Sequence, residues 1–331
     1  MPEGVEIRKF ADILSSNLIG RSITEINILK GRYTKKAFAG YTELVKHLPV
    51  VVKSVKTKGK FTYLELECSS GKTFWLFSTL GLTGGWTVAS KKKSGLKDIP
   101  NIRYLRGNSP RDNELIFAYP IIWEYISNNN LTEWFEKALN HLNVEFILDS
   151  SLVAYFYDQL SFGTLSVINT REELNKKLNT LGADIMNDET TFEVFKKQVM
   201  KKSNLSKMIG NVIVNQKIIS GIGNYLRADA LWMARISPFR KVEEINDIEL
   251  EKLYRSIRIL MWGDYNYDEG VKKGLIKKDT IDSGDKIPRD YGREFFVYRQ
   301  ETDIDGNKVS KKELYEGSQK RFIYWVENIQ K

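Results

Sequence analysis

The chain has 331 residues, 42% of them hydrophobic, with 16 Tyr, 16 Phe and 7 Trp, enough apolar mass for two or three domain cores. A formal net charge of +9 favours polyanionic partners such as nucleic acid. With one cysteine, Cys68, and two histidines, an intramolecular disulfide and a Cys/His zinc cluster are excluded, and no apolar run approaches the about 20 residues of a membrane span. No basic-then-apolar leader opens the sequence, so the expectation is an intracellular protein of the cytoplasm or nucleus, neither secreted nor embedded in a membrane.

The chain opens Met1-Pro2-Glu3-Gly4-Val5-Glu6, and an amphipathic pattern over 3–18, stopped by Gly20, predicts a helix. Pro2 suits the first turn of that helix, where Glu3 and Glu6 are favoured by the helix dipole. Once Met1 is removed, Pro2 is also a secondary amine. An α-amino group titrates near about 8, so roughly a tenth of it is neutral at pH 7, far more than of a Lys near about 10. Such an amine can attack a sugar aldehyde or C1′ carbon as a Schiff-base lysine does. The hexapeptide alone leaves both readings open.

Alternating or β-branched runs over 22–29, 50–56, 61–67, 73–77 and 86–89 predict an antiparallel sheet or sandwich. Residues 90–150 change character, with Lys91-Lys92-Lys93, three prolines and a helical pattern over 131–142, and read as an insertion. The lysine cluster fits a solvated loop or a contact to nucleic acid. Strand signals return over 153–157 and 163–168. Helical patterns over 172–178, 191–200, 206–214, 225–234 and 247–262 make the second half α-helical. A polar stretch over 267–293 then leads to a hairpin predicted from 295–299 and 321–326, around the turn-forming Asp303-Ile304-Asp305-Gly306-Asn307.

Within the helical half, Gly221-Ile222-Gly223-Asn224 permits a tight turn into the next helix. The turn reads as a plain helix connection with Asn224 as its cap, or as a phosphate site where the Asn224 side chain and unpaired backbone N–H groups point outward.

Taken in order, these residues resemble the formamidopyrimidine-DNA glycosylase and endonuclease VIII family, closest to its zincless-finger, endonuclease VIII-like branch. The resemblance is carried by Pro2-Glu3 with Glu6, Lys58-Gly59-Lys60-Phe61, Leu80-Gly81-Leu82-Thr83-Gly84 and Ser161-Phe162-Gly163-Thr164. It continues through Gly221-Ile222-Gly223-Asn224 with Ala228-Asp229-Ala230-Leu231, and ends at Lys320-Arg321-Phe322. An α+β fold of two domains is implied: an N-terminal antiparallel β-sandwich flanked by helices, and a C-terminal helix-two-turn-helix domain with a zincless β-hairpin finger. The boundaries expected are 2–170 for the catalytic β-sandwich domain with 90–150 inserted, 171–266 for the DNA-binding helices, and 267–331 for the linker and finger.

The resemblance implies a bifunctional DNA glycosylase and abasic-site lyase, with DNA between the domains and the damaged nucleotide extruded from the duplex. Its implied substrates are oxidised pyrimidines, ring-opened or hydantoin purines and abasic sites in double-stranded DNA, handled by a monomer with no cofactor and no metal. Pro2 is implied as the Schiff-base nucleophile, Glu3 as the proton shuttle and Lys60 as a catalytic-loop lysine on a phosphate, with Glu6 orienting the terminus. Asn224 and Arg321 would grip flanking phosphates, and Leu82 and Phe162 would fill the void in the stack.

Three departures stand out. No finger cysteines are present, so the hairpin must be held by packing, with Phe295, Tyr298, Tyr324 and Trp325 as candidates. Leu160 stands where most members carry Arg, which should relax discrimination of the opposite base. Asp229 stands where Glu is usual. The competing reading is a damaged-DNA recognition protein with reduced catalysis, against which the retained Pro2, Glu3, Glu6 and Lys60 argue. An RNA-binding helix-two-turn-helix protein would leave Pro2-Glu3 unexplained.

Overall fold

The computed structural model describes residues 2–90, 116–118, 141–149, 152–267, 295–316 and 319–331. These residues form two compact units: one holds Pro2 and the described part of Glu6–Lys177, the other Glu3–Val5 and the described residues from Leu178 onward. The lysine cluster Lys91-Lys92-Lys93 and the polar stretch over 268–293 lie outside the described residues.

In the first unit, strands β1 (Ser22–Ile28), β2 (Val50–Lys58), β3 (Phe61–Cys68), β4 (Thr73–Thr79) and β5 (Gly84–Ser90) fall where alternation predicts them. With β6 (Ile116–Ala118), β7 (Leu142–Leu148), β8 (Leu152–Asp158) and β9 (Thr164–Ile168) they make one antiparallel sheet in the order β6-β5-β8-β7-β1-β2-β3-β4-β9. Strands far apart in that order share one core. Leu64, Phe74 and Leu76 from one part of the sheet and Trp86, Val88 and Phe156 from the other belong to a single buried cluster. The Trp86 indole N–H donates to Ser78 Oγ at 3.0 Å, tying β5 to β4 across that core. The sheet therefore folds over on itself as a sandwich. Helix α1 (Gly4–Leu18) adds Ile7, Phe10, Leu14 and Leu18 to the same cluster, the spacing of one helical face.

Strand β7 corrects the sequence reading. Residues 142–148 fall inside the expected insertion, where a helix is expected to end at 142, yet they pair with β1 on one side and β8 on the other near the middle of the sheet. The physical cause is plain alternation: Val144, Phe146 and Leu148 point into the sandwich core. Residues 131–140 of the expected helix lie outside the described residues.

The second unit is helical, with helices Phe192–Val199, Ile209–Val212, Asn224–Ala234 and Asp247–Tyr267, the last two packed together. Helix Asp247–Tyr267 buries Leu250, Leu253, Ile257, Leu260 and Met261 along one stripe. Helix Asn224–Ala234 is buried almost all round, which obliges its polar residues to find partners. The helix expected over 206–214 is only one turn long, because Ile209 N–H bonds Arg240 O and Met208 bridges Lys241 in extended geometry. No helix of the described residues is long and apolar enough to cross a membrane.

The terminal hairpin is also shifted from its expected place. Its strands are β12 (Ser310–Glu316) and β13 (Gln319–Trp325), after the two-residue strands β10 (Ala183–Asp184) and β11 (Ile219–Ser220). Residues 295–299 are not a strand. Asp229 accepts the amides of Phe296 at 3.1 Å and of Val297 and Tyr298 at 3.0 Å, so that segment spends its N–H groups on a side chain rather than on a ladder. Arg299, at φ 60°, then turns the chain away. The hairpin packs on the helix through Ala228, Trp232, Val297, Ile323, Trp325 and Val326, with Tyr298 and Tyr324 against that cluster. Phe295 packs on Tyr225 and Tyr298 at ring centroid distances of 5.1 and 5.3 Å. Asp303 orders the turn before the hairpin by accepting from Asn307, Asp305 and the Trp232 indole. Burial alone would raise its carboxyl, but these hydrogen bonds hold it below the ordinary aspartate value.

Candidate active site and DNA-contacting groups

In the second unit, the carboxylate of Glu3 sits at the start of helix Asn224–Ala234. Its Oε2 accepts the Gly223 N–H at 2.8 Å and its Oε1 accepts the Tyr225 N–H at 3.1 Å. Glu3 is 1% exposed. Two of the first-turn donors that a helix leaves unpaired are thereby satisfied by a residue more than 200 positions away, and the negative charge lies at the positive end of the helix dipole. This corrects the expectation that those N–H groups point outward: Gly223 is the helix cap, no side chain of the turn caps it, and Glu3 supplies the acceptor.

The glycines of the turn are explained by this contact. A Cβ on Gly223 would come within 2.1 Å of the Glu3 carboxyl carbon. Gly221, at φ 108°, offers its carbonyl to the Gly4 N–H at 2.8 Å, and a Cβ on Gly4 would stand 2.9 Å from the Gly221 Cα. Backbone passes against backbone here, so any side chain would separate the two segments.

Asn224 and the hairpin are joined through one carbonyl. Asn224 Nδ2 donates to Phe322 O at 3.0 Å, and Arg227 Nη2 donates to the same oxygen at 3.3 Å. Arg227 is fully buried; it also donates to Asn224 Oδ1 and, at 3.3 Å, to Gly210 O. A buried guanidinium costs free energy unless such acceptors surround it. Here it fixes which end of the Asn224 amide faces the hairpin. Arg321, half-buried, directly precedes Phe322 on β13, and the register sets it opposite Leu314.

In the first unit, Pro2 and Glu6 are half-buried. Lys60 occupies the second position of a two-residue loop between Lys58 and Phe61, whose first position, Gly59, has the positive φ of 57° that a type II′ turn requires. Phe61, 3% exposed, anchors that loop by packing on Phe77 and beneath the Lys177 ammonium. Leu82 and Phe162 are 46% and 59% exposed, and Leu160 beside them is 49% exposed. Glu3, Asn224 and Arg321 thus belong to one unit, and Pro2, Glu6, Lys60, Leu82 and Phe162 to the other. Among the described residues no three His, Cys, Asp or Glu side chains gather as a metal site.

Sequence signatures resolve what such a chain is. That of the formamidopyrimidine-DNA glycosylase N-terminal domain matches residues 1–165, that of the H2TH domain residues 181–271, and that of the C-terminal domain residues 286–331. The chain belongs to the formamidopyrimidine-DNA glycosylase family. Members are DNA N-glycosylases with lyase activity at abasic sites, and this chain is an enzyme of that class, working on damaged DNA. It is 23% identical over 266 residues to the formamidopyrimidine-DNA glycosylase of Corynebacterium glutamicum strain R, spanning 79% of this chain and 77% of that protein. A second relative, from Wolbachia pipientis, is 34% identical over 118 residues, 36% of this chain and 42% of the relative. The fold is similar to that of the Lactococcus lactis glycosylase in complex with DNA containing an oxidised pyrimidine, with a TM-score of 0.65, 18% identity and 99% of each chain covered. The same enzyme bound non-covalently to DNA with an abasic site gives a TM-score of 0.64 at 17% identity, again over 99% of each chain.

Three supporting residues escape a reading by motif. Arg227 lies one helical turn after Asn224, the only signal being a cation in a mostly apolar stretch. Asp229 draws notice by its position in the helix, but its clasp on residues 296–298 does not follow from spacing. Asp158 ends a strand just before a loop and carries no motif of its own.

Proposed function

We propose that the chain removes oxidised pyrimidines and ring-opened or hydantoin purines from double-stranded DNA, acting as a monomer through a Schiff base on Pro2. With Met1 removed, the Pro2 nitrogen attacks C1′, the glycosidic bond breaks, and the base leaves with a proton. The opened sugar remains joined to Pro2 as an iminium. Glu3 delivers and removes protons during ring opening and later hydrolysis. The iminium acidifies the C2′ protons, so loss of one expels the 3′ phosphate by β-elimination, and a further loss expels the 5′ phosphate by δ-elimination. The bond-making group is an amine of the chain itself.

In this reading Lys60 neutralises a phosphate beside the lesion, and Glu6 orients the terminus. Asn224 and Arg321 hold flanking phosphates without reading sequence. Leu82 and Phe162 occupy the space left by the flipped nucleotide. Residues 2–170 act as the catalytic domain, 171–266 as the DNA-binding helices, and 267–331 as linker and zincless finger.

The observation that carries the reading is the seat of Glu3. Its carboxylate is locked on two backbone amides immediately after Pro2, so the residue next to the proposed nucleophile is fixed while Pro2 itself stays partly accessible. Lesion-bearing DNA in the related complexes supports the choice of substrate. Borohydride reduction during incubation with an abasic-site duplex tests it: a stable protein–DNA adduct is expected from the processed chain and none from Pro2→Ala. Absence of an adduct from the processed chain would overturn the mechanism and favour a recognition protein.

A further inference from the structure

Scattered exposed apolar side chains need no explanation, but Leu82, Leu160 and Phe162 project from two loops that touch. Gly81, at φ 59°, lies so close to the other loop that a Cβ on it would sit 2.8 Å from the Phe162 backbone. Between the loops, at the end of β8, lies Asp158, 2% exposed. Its Oδ1 accepts the Thr83 hydroxyl at 2.6 Å and the Leu160 N–H at 3.2 Å. Its Oδ2 accepts the Gly163 N–H at 2.5 Å. Thr83 Oγ1 in turn accepts from Leu160 N–H at 3.0 Å, closing a ring of bonds between the loops.

We propose that Asp158 is a positioning residue that couples the 80–84 and 158–163 loops into one wedge, so that Leu82, Leu160 and Phe162 enter the duplex as a unit. The inference rests on the assignment of Leu82 and Phe162 to the vacated space. A flipped nucleotide leaves an unstacked gap whose cost a wedge offsets only if its side chains arrive already ordered. Free loops would lose their conformational entropy at that moment, whereas loops tied to a common carboxylate have lost it during folding. A buried carboxylate needs several donors to be tolerated, and two separate loops supply them here. The clamp is also selective in direction: among the described residues the bonds that the Asp158 carboxylate accepts come from the loops bearing the exposed residues, while its own N–H is held by Asn143 Oδ1 and His141 O, each at 3.1 Å.

Asp158→Asn tests the coupling with little change of volume. An asparagine can still accept from Thr83 and Leu160, but its amide nitrogen then faces the Gly163 N–H. The readouts are single-turnover base excision, strand cleavage at a preformed abasic site, and fluorescence of 2-aminopurine beside the lesion. The ratio of base excision to abasic cleavage is expected to fall about tenfold, with a matching loss of the fluorescence rise that reports unstacking. Combined with Leu82→Ala or Phe162→Ala, the substitution should add little to the single-variant loss, since all act through one wedge. An unchanged ratio, or losses that simply multiply, would overturn the coupling. If Leu82→Ala and Phe162→Ala both excise normally, the wedge assignment itself fails and the coupling falls with it. Should Asp158→Asn not fold, Thr83→Val removes the hydroxyl bridge alone and is expected to shift the same ratio in the same direction.

Discussion

The two units carry their functional side chains in opposite ways. In the sheet unit, apolar tips stand in solvent and a buried polar group, Asp158, holds their loops. In the helical unit, the polar groups Glu3, Arg227 and Asp229 are themselves buried and hydrogen-bonded to backbone N–H and C=O groups. The difference follows from the task proposed for each. A wedge must leave water on meeting bases, so its apolar area has to stay exposed beforehand. A phosphate grip or proton-transfer group depends on fixed orientation, which a low-dielectric surround with several hydrogen bonds provides.

The sharpest way to break the comparison is at Glu3. Glu3→Gln removes the charge and turns one amide group against a backbone N–H, so base excision is expected to fall about 10²–10⁴-fold in single-turnover assays. Cleavage at a preformed abasic site, which skips rupture of the glycosidic bond, should fall less. Equal loss of both would contradict the proton-transfer role.

Next in size is Asp229. Asp229→Ala strands three amides that the carboxylate now accepts, and a loss of about 3 kcal/mol or more in urea unfolding is expected. Stability within about 0.5 kcal/mol of the parent would show that the segment over 296–298 finds other partners.

The smallest effects belong to the phosphate contacts. For Asn224→Ala and Arg321→Ala, weaker binding to lesion-bearing and undamaged duplexes alike is expected, with the salt slope reduced by about one only for Arg321→Ala. Unchanged affinity in either variant would remove that residue from the interface.

Much of this architecture is legible in the sequence where the signal is local. Alternating, β-branched or apolar runs give strands β1 to β5, β8 and β9, and apolar spacing gives the long helices. The failures share a physical cause. Residues 295–298 are apolar and β-prone, yet a carboxylate more than 60 positions upstream takes the amides of 296–298. The true strand Ser310–Glu316 reads Ser-Lys-Lys-Glu-Leu-Tyr-Glu, too polar to alternate visibly. Strand β7 hides because the helical pattern before it runs into its first residue. At the site, residue types are legible from the resemblance, but the Glu3 contact spans 220 positions and only folding reveals it. Asp158 illustrates the same limit: its importance lies in which two loops it joins.

The central claim is that the amine of residue 2 forms the covalent bond. The most direct measurement is peptide mapping by mass spectrometry of the borohydride-reduced adduct with an abasic-site oligonucleotide. The expected result is a deoxyribose remnant on the peptide that begins at Pro2, on its α-nitrogen. A remnant on Lys60 or any other lysine, with the N-terminal peptide unmodified, would contradict it.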